Sequence, residues 1–229
     1  MKLQIFYQNQ PGIEVQTISV LASFCSYHPD SAVMQPSENG WVYETELAPG
    51  DYYYKFLING TLLLNDPLAN CYAPRNESEE ELWSFLRVGP SGERLYNSTS
   101  YPVYLEDYRL SGSFTEGTVI NRRQFSAELD KKIVAGFGFR NTEGVHTVTV
   151  LWTGPDNTPR EYAEAVLGPQ ETPEQLERLW FWLDTEALEQ PEGVWTLLLF
   201  IDGAYVLEDR FQIGNALSYS RDGTVNNRY

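Results

Sequence analysis

Few residues of this chain have the type and spacing that catalysis requires. The sequence holds two histidines, His28 and His146, and neither stands in a recognisable catalytic motif. No nucleophile elbow, phosphate-binding glycine loop, zinc-protease motif or calcium loop occurs. The run Gly136-Phe137-Gly138-Phe139 lacks the third glycine of a dinucleotide-binding loop, and it is typical of a strand whose glycines let a neighbour pack closely. We therefore predict no catalytic residue, no metal site and no cofactor, with His28 in a surface loop and His146 at a strand end.

The two cysteines and the N-terminal segment indicate the compartment. Cys25 and Cys71 are too few for a disulfide scaffold and lack metal-ligand spacing. We expect both to be small buried residues, with a pairing between them left open. The first twelve residues resemble neither a signal peptide nor a membrane span, and no apolar run of about 18 residues occurs. A cytoplasmic location is therefore expected.

The charge of the chain excludes two classes of partner. Asp and Glu number 32 against 16 Lys and Arg, which gives a formal net charge of −16. Such a surface repels the phosphate backbone of nucleic acids and the anionic head groups of membranes. We therefore predict no nucleic-acid and no membrane binding. A protein partner, a second copy of the chain or a neutral sugar remains as the partner class.

The spacing of turn residues along the chain is typical of an all-β protein. Aromatic residues make up 14% of the chain, and turn residues recur about every 8 to 12 positions, as in sandwiches and barrels. Strands are predicted in the first half at 15–24, 41–47, 52–58, 61–64 and 83–88. Strands are predicted in the second half at 125–129, 133–139, 146–152, 162–166, 180–183, 194–201 and 204–213. The sequence thus predicts two tandem immunoglobulin-like antiparallel β-sandwiches.

The domain limits follow from the stretches without periodicity. We assign residues 1–90 to the first sandwich, 91–116 to a linker with an irregular entry, 117–214 to the second sandwich and 215–229 to a polar tail. One segment departs from the β pattern. Thr172, Pro173 and the residues after them satisfy a helix capping box, which predicts a short helical turn over 173–178.

An internal repeat links the two halves. Residues 50–60 match residues 193–203: each begins with glycine, runs through an apolar strand and ends in a two-residue turn, Asn59-Gly60 or Asp202-Gly203. Such turns are the strongest short signal for a β-hairpin. The match is compatible with duplication and with two halves that reach the same common hairpin.

The strand at 52–58 separates a core face from an outer face. Because side chains alternate along a strand, Tyr52, Tyr54, Phe56 and Ile58 should enter the core, and Tyr53, Lys55 and Leu57 should face outwards. We expect the outer set to form an exposed patch beside Tyr27. That patch is either a ligand surface or the contact to the second sandwich.

Residues 15–88, about a third of the chain, resemble the family-48 carbohydrate-binding modules. These modules bind starch or glycogen and have an immunoglobulin-like early-set sandwich; the AMP-activated kinase β-subunit carries one. The resemblance lies in an ordered series of segments: 20–24, Gly40-Trp41, 47–50, 52–60 and Asp66-Pro67. The family holds glucan with two tryptophans that stack on sugar rings, a lysine and an asparagine.

The resemblance implies a partial set of glucan ligands. Lys55 matches the family lysine, and Tyr27 stands where the first tryptophan stands. The second tryptophan position falls at Leu62 or Leu63, and the asparagine position falls near Trp83. Tyr53 adds a neighbouring outward-facing aromatic ring.

Two functions compete on this basis. The first is a non-catalytic scaffold protein that acts through protein–protein contacts, and it agrees with the missing catalytic groups and the altered glucan ligands. The second is an α-glucan-binding module protein, and it rests on Tyr27, Lys55 and the family pattern.

Overall fold

A computed structural model of the chain describes residues 3–69, 71–95, 101–112, 121–172 and 175–214. The regular structure of these residues is β-strand, apart from two single-turn 3₁₀ helices at Ser23–Cys25 and Thr185–Ala187. No helix in this part of the chain is long and apolar enough to cross a bilayer. The strands form four sheets that enclose two cores, which confirms the predicted all-β fold of two sandwiches.

The first sandwich comprises nine strands among the described residues. They are β1 (Leu3–Gln8), β2 (Ile18–Ala22), β3 (Gln35–Ser37), β4 (Gly40–Thr45), β5 (Gly50–Ile58), β6 (Leu62–Leu64), β7 (Cys71–Ala73), β8 (Trp83–Val88) and β9 (Arg94–Leu95). One sheet has the order β1-β4-β3. The other runs β2-β5-β8-β7, with β6 beside β5 and β9 beside β8.

The second sandwich contains the remaining strands. They are β10 (Tyr104–Ser111), β11 (Gln124–Ser126), β12 (Lys132–Arg140), β13 (His146–Thr153), β14 (Pro159–Leu167), β15 (Glu177–Asp184), β16 (Gly193–Ile201) and β17 (Ala204–Gly214). Its sheets have the orders β10-β12-β15 and β11-β17-β16-β13-β14. All pairings are antiparallel except β11 with β17. The edge strands β14 and β15 belong to different sheets and lie in contact on the same side of the sandwich.

Both hairpin turns of the repeat are present. Strand β5 returns to β6 through Asn59 and Gly60, with φ of 50° and 71°. Strand β16 returns to β17 through Asp202 and Gly203, with φ of 54° and 78°. Two successive left-handed residues are the requirement of a type I′ turn, whose twist matches the flanking strands.

Side-chain alternation follows the sequence pattern. Tyr54, Phe56 and Ile58 of β5 are at most 1% exposed in the first core, and Tyr52 packs against that core from its rim. On β12, a Cβ added to Gly136 would lie 2.4 Å from the ring of Trp180. Glycine at this position therefore lets the indole lie against the strand, as the sequence predicts.

Strand β13 is buried on both of its faces. All eight residues of β13 are buried. Val150 and Trp152 enter the second core, whereas Leu151 joins the core of the first sandwich together with Leu198 and Phe200 of β16. The two sandwiches are therefore joined by a continuous apolar contact.

Two local predictions of secondary structure are wrong. The segment 91–116 contains β9 and β10, and β10 pairs with β12. The alternation of β10 is obscured in the sequence because its register shifts between Leu105 and Asp107. The helical turn at 173–178 is wrong at its end because Glu177 and Arg178 pair with β12 as the start of β15. Residues 173–174 and the tail 215–229 lie outside the described part of the chain.

The cysteines differ from expectation at one position. Both are free thiols. Cys25 is half-buried, and its Sγ lies 3.3 Å from the Ala22 carbonyl oxygen. Cys71 is exposed because β7 is the edge strand of its sheet. Its expected burial is therefore wrong.

Candidate binding face at the contact between the sandwiches

Lys55 lies on the outer face of β5, opposite the core residues Tyr54 and Phe56. Its side chain is nonetheless only 1% exposed. The Nζ atom donates to Glu81 Oε1 at 2.8 Å and to Glu164 Oε1 at 2.9 Å. Glu164 stands on β14, so the second sandwich covers this lysine. The expected exposed patch is wrong at Lys55, and the alternative of a contact to the second sandwich is found there.

The Lys55 ammonium lies between two carboxylates, those of Glu81 and Glu164. Burial raises the pKa of the Glu164 carboxyl, and the Lys55 charge opposes that rise. Glu81 adds a repulsive negative charge that also raises the pKa of Glu164. Thr149, which faces Glu164 across the β13–β14 ladder, donates its hydroxyl to Glu164 Oε2 at 3.3 Å. Two of the three N–H groups of the Lys55 ammonium are therefore bonded to carboxylates, and one of these bonds joins the two sandwiches.

Tyr27 and Trp83 lie beside Lys55. Their rings meet edge to face with centroids 5.2 Å apart, and Lys55 Nζ is 5.3 Å from the Trp83 ring. Tyr27 has φ of 58°, and its backbone N–H bonds to the Ala22 carbonyl at 2.9 Å, which turns the chain back over β2. Trp83 is only 3% exposed.

Arg75 covers the two aromatic rings. Its guanidinium carbon lies 4.3 Å from the Trp83 ring centroid and 4.7 Å from that of Tyr27, a cation–π arrangement. Glu79 fixes the guanidinium through hydrogen bonds of 2.8 Å and 2.6 Å. A sugar ring would have to displace Arg75 to stack on Trp83.

The other predicted glucan positions are divided between the two faces of the sheet. Tyr53 is half-buried on the outer face, with its ring edge-on to Phe85 at 5.5 Å. Leu63 is also half-buried and pairs with Leu57 of β5. Leu62 points into the first core and is 2% exposed, so it lies apart from the cluster.

Sequence reasoning missed Arg75, Glu81 and Glu164, which complete the cluster. The one sequence feature that could have indicated Glu81 is the acidic segment at residues 77–81. Arg75 lies in a loop without periodicity, and Glu164 lies about a hundred residues from Lys55 along the chain. No local pattern marks such a pairing.

A second polar contact joins the sandwiches at the turn between β16 and β17. The Cα of Gly203 lies so close to the first sandwich that an added Cβ would be 1.8 Å from the Asn65 carbonyl oxygen. The Tyr72 hydroxyl lies 2.9 Å from the Asp66 carbonyl oxygen and 3.3 Å from the Asp202 carbonyl oxygen, so its one proton is shared between the two sandwiches. The amide of Asn65 donates to Leu82 O at 3.2 Å and to the Thr147 hydroxyl at 3.4 Å.

His146 holds this turn from the second sandwich. Its Nδ1 lies 2.6 Å from Asp202 Oδ2, and its Nε2 lies 2.8 Å from the Glu143 carbonyl oxygen. Burial alone would lower the pKa of His146, but the hydrogen bond and charge of Asp202 raise it overall. Both ring nitrogens face acceptors, so the imidazolium form satisfies the site. His28, by contrast, is exposed in the loop after Tyr27.

Within the described ranges, no group of three or more His, Cys, Asp or Glu side chains could hold a metal ion. The polar clusters at Lys55 and at Asp202 instead bond one sandwich to the other.

Comparison with known proteins gives limited similarity. No family model matches the chain, and no curated protein matches it. An immunoglobulin-like protein from Pseudomonas aeruginosa is 16% identical with a TM-score of 0.34, over 49% of this chain and 97% of its own. A β-glucosidase from Listeria innocua in complex with glucose is 10% identical with a TM-score of 0.33, over 54% of this chain and 17% of its own. A DUF3823 family protein from Bacteroides ovatus is 12% identical with a TM-score of 0.28, over 92% of this chain and 98% of its own. Similarity at this level assigns no function.

Proposed function

We propose that this chain is a non-catalytic binding protein that acts as a scaffold, through protein–protein contacts of two β-sandwiches held together as one unit. The observation that carries the proposal is the position of Lys55, which is 1% exposed and bonded to Glu81 and Glu164. In the family that the first sandwich resembles, the matching lysine serves a sugar. In this chain Lys55 instead forms an ion pair with Glu164 of the second sandwich.

The apolar contact supports the same proposal. Leu151, Leu198 and Phe200 belong to the second sandwich but are buried in the core of the first. A binding protein whose parts hold fixed positions can present edges and faces of both sandwiches to a partner. The net charge of −16 favours a partner with a basic surface.

The test combines a sugar assay with a protein assay on the full chain. Co-sedimentation with glycogen and amylose should show no retention. Affinity capture from the source cells, followed by light scattering of the isolated complex, should give a protein complex of fixed stoichiometry. A chain that stays monomeric and captures no protein at fixed stoichiometry would contradict the scaffold function.

Glucan binding is the second candidate, and one observation favours it. Tyr27 and Lys55, two positions implied by the family, both lie against the ring of Trp83, a third such position. Sugar binding at this place requires Arg75 and Glu164 to move away. Retention on amylose that Lys55→Ala and Tyr27→Ala both abolish would establish this function, and retention that both variants keep would exclude this site.

A further inference from the structure

The outer edge of β14 is open among the described residues. Strand β14 pairs with β13 along one side, from Pro159 to Leu167, and it is the last strand of its sheet. Its register with β13 is regular from Glu161 to Leu167. An edge strand of this length presents backbone N–H and C=O groups that can pair with an added strand.

The usual protections of an edge strand are confined to one end of β14. Pro159 begins the strand, and Arg160 is turned to Asp156, with which it forms an ion pair of 2.5 Å. Between Tyr162 and Val166 the only charged side chain is that of Glu164, which is occupied by Lys55. Tyr162 and Val166 are 37% and 39% exposed, so they offer apolar contact beside the edge.

The edge of β10 is less open than that of β14, because some of its backbone groups already have hydrogen-bond partners. The backbone N–H of Leu110 donates to Asn121 Oδ1 at 3.1 Å, and its carbonyl accepts from the Arg122 N–H at 2.9 Å. The register shift between Leu105 and Asp107 further interrupts that edge. Compared with the edge of β10, the edge of β14 is the better suited to strand addition.

Two carboxylates define the charge of the open side. Glu161 of β14 and Asp184 at the end of β15 flank the same side of the sandwich. Burial raises the pKa of Glu161, and repulsion by the negative charge of Asp184 raises it further. Asp184 accepts a hydrogen bond from the Glu186 N–H at 3.0 Å, and among the described residues no cation forms an ion pair with either carboxylate. A Lys or Arg side chain between them would relieve the repulsion.

We infer that the β14 edge binds an extended, basic segment of a partner protein, which adds as a strand to β14 and places a Lys or Arg side chain between Glu161 and Asp184. The inference rests on the proposed function, because it names the partner class and the surface for its protein contacts. A second copy of this chain is the less favourable occupant, because each copy carries a net charge of −16.

The test uses a short fluorescent peptide that alternates Lys with Val, with its termini blocked. Binding to the full chain is followed by fluorescence anisotropy, and backbone amide shifts in β14 are followed by NMR. The peptide should bind, and Glu161→Gln should weaken it about tenfold. The matched control is Glu38→Gln, an exposed carboxylate in the first sandwich, which should leave the affinity unchanged.

Two altered peptides separate strand addition from simple charge attraction. A version with alternate backbone nitrogens methylated keeps its charge but cannot pair along a strand edge, so it should lose binding. A version with Glu in place of Lys should not bind. Equal binding of the methylated peptide, an unchanged affinity for the Glu161→Gln chain, or amide shifts confined to other strands would each overturn the inference.

Failure here and failure of the scaffold function give different results. If the Lys peptide does not bind while the chain still forms a complex of fixed stoichiometry, the β14 site is wrong and the scaffold function stands. If the peptide dissociates a dimer seen by light scattering, the occupant is a second copy and the basic partner is wrong.

Discussion

Lys55 of the first sandwich and Glu164 of the second meet with Nζ and Oε1 2.9 Å apart, although 109 positions separate them in the chain. The lysine is 1% exposed and the glutamate 12%. Removal of one partner from a buried ion pair leaves the other charge without compensation, so the pair is costly to break. It therefore makes the docking of the sandwiches sensitive to single substitutions.

We expect Lys55→Met to lower the free energy of unfolding by about 3 kcal/mol, because Glu164 and Glu81 would then repel each other without a cation. Urea denaturation of the full chain measures the change. Lys131→Met is the control, since the Lys131–Glu186 pair is more than half exposed on both sides and should contribute about 0–1 kcal/mol. Equal losses in the two variants would contradict a buried fastening role for Lys55.

The matched turns of the repeat allow a second test. Gly203→Ala places a Cβ 1.8 Å from the Asn65 carbonyl, whereas Gly60→Ala meets nothing within 4 Å. Both glycines have positive φ, so each substitution costs about 1–2 kcal/mol from backbone strain alone. We expect the Gly203 variant to lose clearly more stability than the Gly60 variant, and small-angle scattering should show the sandwiches further apart. Equal costs would mean that the turn does not bear on the docking.

The pH dependence of the free energy of unfolding should reflect the titration of His146. Its pKa in the folded chain is raised above the ordinary 6.5, so its contribution to stability is fully present below that pH and is lost as the pH rises through the raised value. We expect the free energy of unfolding to fall as the pH rises above about 6.5 through the raised pKa of His146, and His146→Gln to remove part of that fall. His28→Gln, at an exposed loop position, should keep it. A pH profile that His146→Gln leaves unchanged would refute the role of His146.

Gly136 gives a test within the second sandwich. Gly136→Ala would drive a Cβ to 2.4 Å from the Trp180 ring, while Gly168→Ala meets nothing within 4 Å. Overpacking of this kind costs about 1–3 kcal/mol, so thermal unfolding of the Gly136 variant should occur at a lower temperature. The Gly168 variant should remain within about 0.5 kcal/mol of the parent chain.

The sequence predicts the fold where its information is local. Alternation along β5 places Tyr54 and Phe56 correctly, and both turns of the repeat are formed as expected. Strand β10 escapes prediction because a register shift breaks its period. Strand β5 and the two turns are predictable because both their structure and their sequence pattern depend on neighbours within a few residues.

The candidate site is predictable only in part. Tyr27, Lys55 and Trp83 are found together because the strand order of the first sandwich brings them together. The burial of Lys55 depends on Glu164, a residue of another sandwich, and one sequence gives no signal for contacts at that separation. Single-sequence patterns therefore indicate which face is available but not what covers it.

The burial of β13 on both faces has a consequence for inheritance. A gene fragment encoding either half would leave Leu151, Leu198 and Phe200, or the surface they cover, in water. Shuffling of the halves into other genes is thereby opposed. We therefore expect the two sandwiches to be inherited together rather than separately.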